Sequence, residues 1–130
     1  MISFSTLFPT QVTPLHLACD HFKSSATVVS TLVQAGSNVD ALDSYHQSPL
    51  HFASKWNPAV VPVLLEAGAK VNVLDKFQYS PLFLAALCNK EASVVALMAA
   101  SADPHLGNPS PLTSTSVSDE MKALIKSLSK

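Results

Sequence analysis

Two histidines stand in matching places in the chain. His16 follows Pro14-Leu15, and His51 follows Pro49-Leu50. An imidazole at such a position could act as a general base or bind a metal. Cys19 lies three residues after His16, which lets the pair face one way on a helix. Two ligands do not make a zinc site, which takes four, and the adjacent Asp20 and His21 point elsewhere. Cys88 is 69 residues from Cys19, a separation that fits no metal motif. No G-x-S-x-G, H-E-x-x-H or phosphate-cradling glycine loop is present. A structural role for the histidines is the stronger reading. The sequence calls for no catalytic residue, metal or cofactor.

Composition narrows the partners. The 130 residues suggest one domain with enough chain to bury a core. Charged residues make up 13% and hydrophobic residues 48%, which argues against disorder and for an apolar surface. All eight basic residues are lysines, and the net charge is −1. Without arginine or a basic excess, nucleic-acid binding is not expected. No stretch nears the roughly 18 apolar residues of a membrane span. The opening MISFSTLFPTQV has no basic n-region, so no signal peptide is expected. The cysteines read as reduced thiols of an intracellular protein, although two cysteines also allow one disulfide.

The elements that must hold these residues are repeats. Thr13-Pro14-Leu15-His16-Leu17-Ala18 returns as Ser48-Pro49-Leu50-His51-Phe52-Ala53 and as Ser80-Pro81-Leu82-Phe83-Leu84-Ala85. A faint fourth copy is Ser110-Pro111-Leu112, and the spacings are 35, 32 and 30 residues. A second echo links Leu32 to Asp40 with Leu64 to Asn72, and a worn copy runs from Leu97 to Asp103. Periods of this length indicate stacked supersecondary units.

Local chemistry says what each unit is. Thr13, Ser48 and Ser80 are N-cap residues followed by proline at the first helical position. A short inner helix of about two turns follows each. An outer helix then carries Val28, Val29, Leu32 and Val33. Its counterparts are Val60, Val61, Leu64, Leu65, then Val94, Leu97, Met98, each set on one stripe. Gly36 and Gly68 supply a left-handed stop, whereas the third outer helix ends in Ser101. Pro62 should kink its outer helix or delay its start. Residues 113–118 form helix poorly, and Met121 to Leu128 is amphipathic enough to cap the array.

These residues resemble the ankyrin repeat, with its T-P-L-H-x-A inner helix and its outer helix ending L-L-x-x-G-A-x-V-N. The resemblance implies an all-α solenoid of helix-turn-helix repeats with hairpin-like connections. The units would be an apolar segment 1–12, repeats at 13–47, 48–79 and 80–109, and a degenerate repeat or cap at 110–130. In place of the family's turn glycine after Asp43 and Asp75 stand His46 and Gln78. Those turns must hold a side chain at an awkward dihedral or change type. Segment 1–12 either folds over the first helix pair or leads in from a longer array.

In the family, the histidine and cap hydroxyl form a repeat-to-repeat hydrogen-bond network, a role that falls to His16 and His51 here. Phe83 would be its apolar substitute. The family binds other proteins through hairpin tips and the exposed face of the inner helix, which form a concave surface. The matching residues are Leu42, Ser44, Tyr45 and Gln47, then Leu74, Lys76, Phe77 and Tyr79. The inner helices add Asp20, His21, Lys55 and Trp56. The aromatic residues could be binding anchors or could pack against the next repeat. Asn72 matches the asparagine that is often hydroxylated in the family, or it bridges backbone groups. The hydroxyl-rich tract 109–120 is either a phosphorylation site or a degenerate loop. The expected function is non-catalytic binding of a partner protein. The alternative is a fragment of a larger scaffold or ubiquitin-ligase substrate adaptor, stacked on neighbouring ankyrin repeats.

Overall fold

The structure is a computed structural model and describes residues 12–20 and 25–129. Among these residues there is no strand, and the helices are α1 (Pro14–Asp20), α2 (Ala26–Gln34), α3 (Pro49–Trp56), α4 (Val61–Glu66), α5 (Pro81–Leu87), α6 (Glu91–Ala99) and α7 (Asp119–Leu128). Segment 1–11 and the expectation of how it folds lie outside the described residues.

The inner helices start where the hydroxyl caps place them. The His16 N–H reaches Thr13 Oγ1 at 3.3 Å, His51 reaches Ser48 Oγ at 3.4 Å, and Phe83 reaches Ser80 Oγ at 3.0 Å. Such caps contribute about 1 kcal/mol each. The outer helices stop in left-handed turns. After α2, Gly36 (φ 96°) donates to Val33 and Ser37 donates to Leu32; after α4, Gly68 (φ 90°) donates to Leu65 and Ala69 to Leu64. Ser101 takes the same conformation after α6, at φ 67° and without glycine's freedom. Pro62 delays its helix: a 3-10 turn, Pro58–Val60, precedes α4, and the proline sits in the first turn of α4.

The helices stack in two layers. In the inner layer α1 touches α3 and α3 touches α5; in the outer layer α2 touches α4 and α4 touches α6. Each inner helix also touches its own outer helix, so the core runs between the layers. Leu15, Leu50 and Leu82, at one position of the three inner helices, are buried there with Val29, Val61 and Val94 of the outer ones. Each such side chain contributes roughly 1.5–3 kcal/mol. One member of the expected outer stripe departs: Val28 is exposed, whereas Val60 at the matching position is buried.

The fourth unit keeps its cap and loses its inner helix. The Ser110 N–H donates to Thr113 Oγ1 at 3.0 Å, as the Ser48 N–H donates to His51 Nδ1 at 3.1 Å. The next hydroxyl then takes a backbone donor for itself, with the Ser116 N–H on Ser114 Oγ at 3.1 Å. That bond competes with a helical ladder, and the chain turns irregularly to Val117. Helix starts again only at α7, capped by Ser118, and Met121 and Ile125 of α7 are buried where it meets α6.

Candidate functional site

Hydrogen bonds fix the state of both histidines. The Ser48 N–H donates to His51 Nδ1, so that nitrogen is an acceptor. Nε2 then carries the proton and donates to the Tyr79 carbonyl at 3.0 Å. His16 repeats the arrangement, with the Thr13 N–H on Nδ1 at 3.2 Å and Nε2 donating to the Gln47 carbonyl at 2.8 Å. Burial pushes both imidazoles below the ordinary 6.5, against the opposite pull of the carbonyls and nearby aspartates. Each ring therefore ties an inner helix to the hairpin that follows its repeat. Phe83 fills the third position with a buried ring. Burial also pushes the Cys19 thiol up to about 12, which leaves no thiolate for chemistry near neutral pH.

Buried aspartates shape the two hairpins. Asp43 Oδ1 accepts from the N–H groups of Tyr45 and Gln47, both at 2.9 Å. Asp75 Oδ1 accepts from Phe77 at 2.8 Å and from Tyr79 at 2.9 Å. The tight turn this produces puts His46 at φ 59° and Gln78 at φ 68°, so the awkward dihedral is held without glycine. Neighbouring hairpins are then tied together. The Lys76 N–H donates to the Tyr45 carbonyl at 2.9 Å, and Gln47 Nε2 donates to Asp75 Oδ2 at 3.0 Å.

This frame holds a line of aromatic rings. Tyr45 and Phe77 stack with centroids 6.0 Å apart, Phe77 and Tyr79 at 5.9 Å, and Tyr79 and Phe83 at 4.7 Å. The line runs from solvent into the core. Tyr45 is 48% exposed and Phe77 53%, Tyr79 is half-buried, and Phe83 is buried. Tyr79 therefore joins the exposed pair to α5.

The remaining residues selected from the sequence divide by exposure. Leu42, Lys76, Trp56 and Asp20 are exposed, while Ser44, Lys55 and Leu74 are half-buried. Lys55 Nζ lies 4.8 Å from the centre of the Trp56 ring, a cation–π contact at the end of α3. The amide of Gln47 is already engaged by Asp75. His21 lies outside the described residues. Asn72 is exposed, and its Oδ1 accepts from the Asp103 N–H at 2.8 Å. Asp40 makes the equivalent bond to Lys70 at 2.9 Å.

Sequence reasoning passed over Leu87 and Cys88. They hold in α5 and its cap the positions of Lys55 and Trp56 in α3, and Leu87 is exposed and Cys88 half-buried. The signal was available: both follow Ser80 at the same distance that Lys55 and Trp56 follow Ser48.

Among the described residues no three His, Cys, Asp or Glu side chains are grouped as metal ligands, and no helix is long and apolar enough to cross a membrane. The chain is similar to the family described as "Ankyrin repeats (3 copies)", whose sequence model matches residues 4–75. No curated protein matches the chain. Ankyrin repeats are generally protein–protein interaction modules and are typically non-catalytic. Over half its length by sequence match, and by two stacked helix layers with histidine-tied hairpins, the chain belongs to the ankyrin repeat family.

Proposed function

We propose that this chain is a non-catalytic recognition module that binds a partner protein through its hairpins and inner-helix ends. The observation that carries this reading is the Tyr45–Phe77 stack. Two large rings stand about half exposed on adjacent hairpins whose backbones are bonded to one another. Pre-ordered rings of this kind lose little entropy on binding and give most of an interface's energy from few residues. Leu42, Trp56 and Leu87 extend the apolar area. Lys55, Lys76 and Asp20 would tune encounter and orientation at the rim. Gln47 and Tyr79 support the surface from below. Two free cysteines suit a reducing, intracellular setting. Asn72, exposed beside the second hairpin, is the candidate for asparagine hydroxylation; the alternative is a bridging role, which its bond from the Asp103 N–H supports.

Affinity capture from cell extract with mass-spectrometric readout tests the binding face. The native chain is run beside a Tyr45→Ala, Phe77→Ala variant whose helical circular dichroism is unchanged. A specific protein held by the native chain and lost at least about tenfold by the variant is the expected result. The same proteins captured by both, or chaperones alone, would sink the proposal.

A further inference from the structure

The outward side of α6 departs from that of the other outer helices. Counted from Leu32, Leu64 and Leu97, its residues Val95 and Ala99 hold the places of Ser30 and Gln34 in α2 and of Pro62 and Glu66 in α4. Val95 is 46% exposed, and Ala99 is exposed. The inward side is apolar too, with Val94 and Leu97 fully buried. A helix that is apolar all round is ordinarily covered all round. The helices that touch α6 are α3, α4, α5 and α7, and they leave Val95 and Ala99 open. Beside these two residues lies a cleft of about 610 Å³, where the C-terminal ends of α6 and α7 meet the chain at Pro104. Val95, Met98, Pro104 and Leu128 line it, and His105 is its one ionisable wall residue among the described residues. Charge on α6 itself is confined to Glu91, at the opposite end of the helix.

We propose that the outward face of α6 and the adjoining cleft form the interface of a weak homodimer, in which α6 packs antiparallel on α6 of a second copy about a twofold axis near Val95. The occupant is argued from self-complementarity, which a second copy requires and a foreign partner does not. Val95 is the midpoint of Glu91–Ala99, so antiparallel pairing sets Val95 on the partner's Val95 and Ala92 on the partner's Ala99. The charges favour this direction. Antiparallel pairing carries Glu91 to the end where the partner's His105 lies, and it sets the two helix dipoles in opposition. Parallel pairing would put two Glu91 carboxylates side by side. A net charge of −1 leaves little repulsion between copies. The helix is about 13 Å long, so the patch is small beside the roughly 800 Å² per partner of a stable interface, and the dimer is held in the high micromolar range. The Tyr45–Phe77 stack lies on the hairpins and not on the outer layer, so dimerisation leaves it open.

Sedimentation velocity of the full chain from about 10 µM to about 1 mM tests the interface. The sedimentation coefficient should rise with concentration from the monomer value toward that of a dimer. Val95→Glu should leave the helical circular dichroism unchanged, because the site is half-solvated, and should weaken association at least about tenfold. Glu91→Lys should weaken it as well, and the Glu91→Lys, His105→Glu double variant should regain it. Tyr45→Ala, Phe77→Ala should leave association intact, so failure of this interface stays distinct from failure of the partner-binding reading. A chain that remains monomeric at the top of the range overturns the proposal, as does a dimer that survives Val95→Glu. A dimer lost in the Tyr45→Ala, Phe77→Ala variant overturns it in favour of the hairpins. Association that the double variant does not regain overturns the antiparallel arrangement, and the proposal with it.

Discussion

His51 donates through Nε2 to the carbonyl of Tyr79, 28 residues on, at 3.0 Å, and so couples α3 to the hairpin that leads into α5. Its other nitrogen faces the Ser48 N–H, a donor. Protonating the ring would set a second donor against that N–H inside a buried site. The same clash awaits His16 at Thr13.

Stability should therefore fall on mild acidification. Both histidines titrate below 6.5 in the folded chain, and burial is the main cause. As pH falls, the unfolded chain takes up its protons first, near about 6.5. The histidine contribution is complete above that pH, declines as pH drops through the folded values, and then levels off. Urea midpoints measured from about pH 8 to about pH 5 should show this decline. A midpoint that stays flat across the interval would refute the neutral, bonded state assigned to both rings.

Glycine should be the better residue at two turn positions. His46 and Gln78 hold left-handed backbone at φ 59° and φ 68°. That conformation costs an L-residue about 1–2 kcal/mol, and glycine gives part of this back through its looser unfolded state. His46→Gly and Gln78→Gly should each stabilise the chain by about 0.5–1 kcal/mol in urea unfolding. A loss in either variant would mean that the side chain supports the hairpin in some other way.

Gly107 presents the opposite case. Its φ is 99°, and a β-carbon there would stand 2.6 Å from the backbone oxygen of Gln78. That oxygen also accepts from the Asn108 N–H, so it cannot withdraw without loosening the third connection from the second. Gly68 has the same backbone sense with open space around it. Gly107→Ala should cost about 2–4 kcal/mol, against about 1 kcal/mol for Gly68→Ala. Equal losses at the two sites would show that only the dihedral matters.

Those contrasts mark what the sequence discloses. Ser48, Pro49 and Gly68 act through bonds within a few residues, so caps, prolines and stop signals fix the helices and the family without a structure. Val28 and Val60 share one pattern and differ in burial, because burial here depends on which neighbouring units cover the site. Periodicity along one helix carries no such information. The candidate face was legible in part. The resemblance to the ankyrin repeat implied that Tyr45 and Phe77 lie at hairpin tips. That Tyr79 would rest on Phe83 depends on ring orientations set by the fold. The engagement of Gln47 by Asp75 is likewise a contact between units, 28 residues apart.

Two buried hydroxyls show where the core tolerates a mismatch. Ser54 Oγ on α3 and Ser93 Oγ on α6 have no hydrogen-bond partner among the described residues, and both residues are fully buried. Ala86 stands where Ser54 does in the next inner helix, so the site accepts a methyl group. Ser54→Ala and Ser93→Ala each remove an unsatisfied group and raise helix propensity. Each should stabilise the chain by about 1 kcal/mol in urea unfolding. Destabilisation by either would reveal a bond that these hydroxyls make in solution.

The aromatic line separates support from contact. Tyr79 lies between Phe77 and Phe83, and stacks more closely on the buried ring at 4.7 Å than on the exposed one at 5.9 Å. Removing its ring opens a gap above α5, so Tyr79→Ala should cost about 2 kcal/mol or more of stability. Phe77 is about half exposed between Tyr45 and Tyr79, and Phe77→Ala should change stability by no more than about 0.5 kcal/mol. Chemical unfolding of the two variants measures the difference. Equal and large losses would make Phe77 a structural ring as well, and would remove the reason to regard the Tyr45–Phe77 stack as surface kept for a partner.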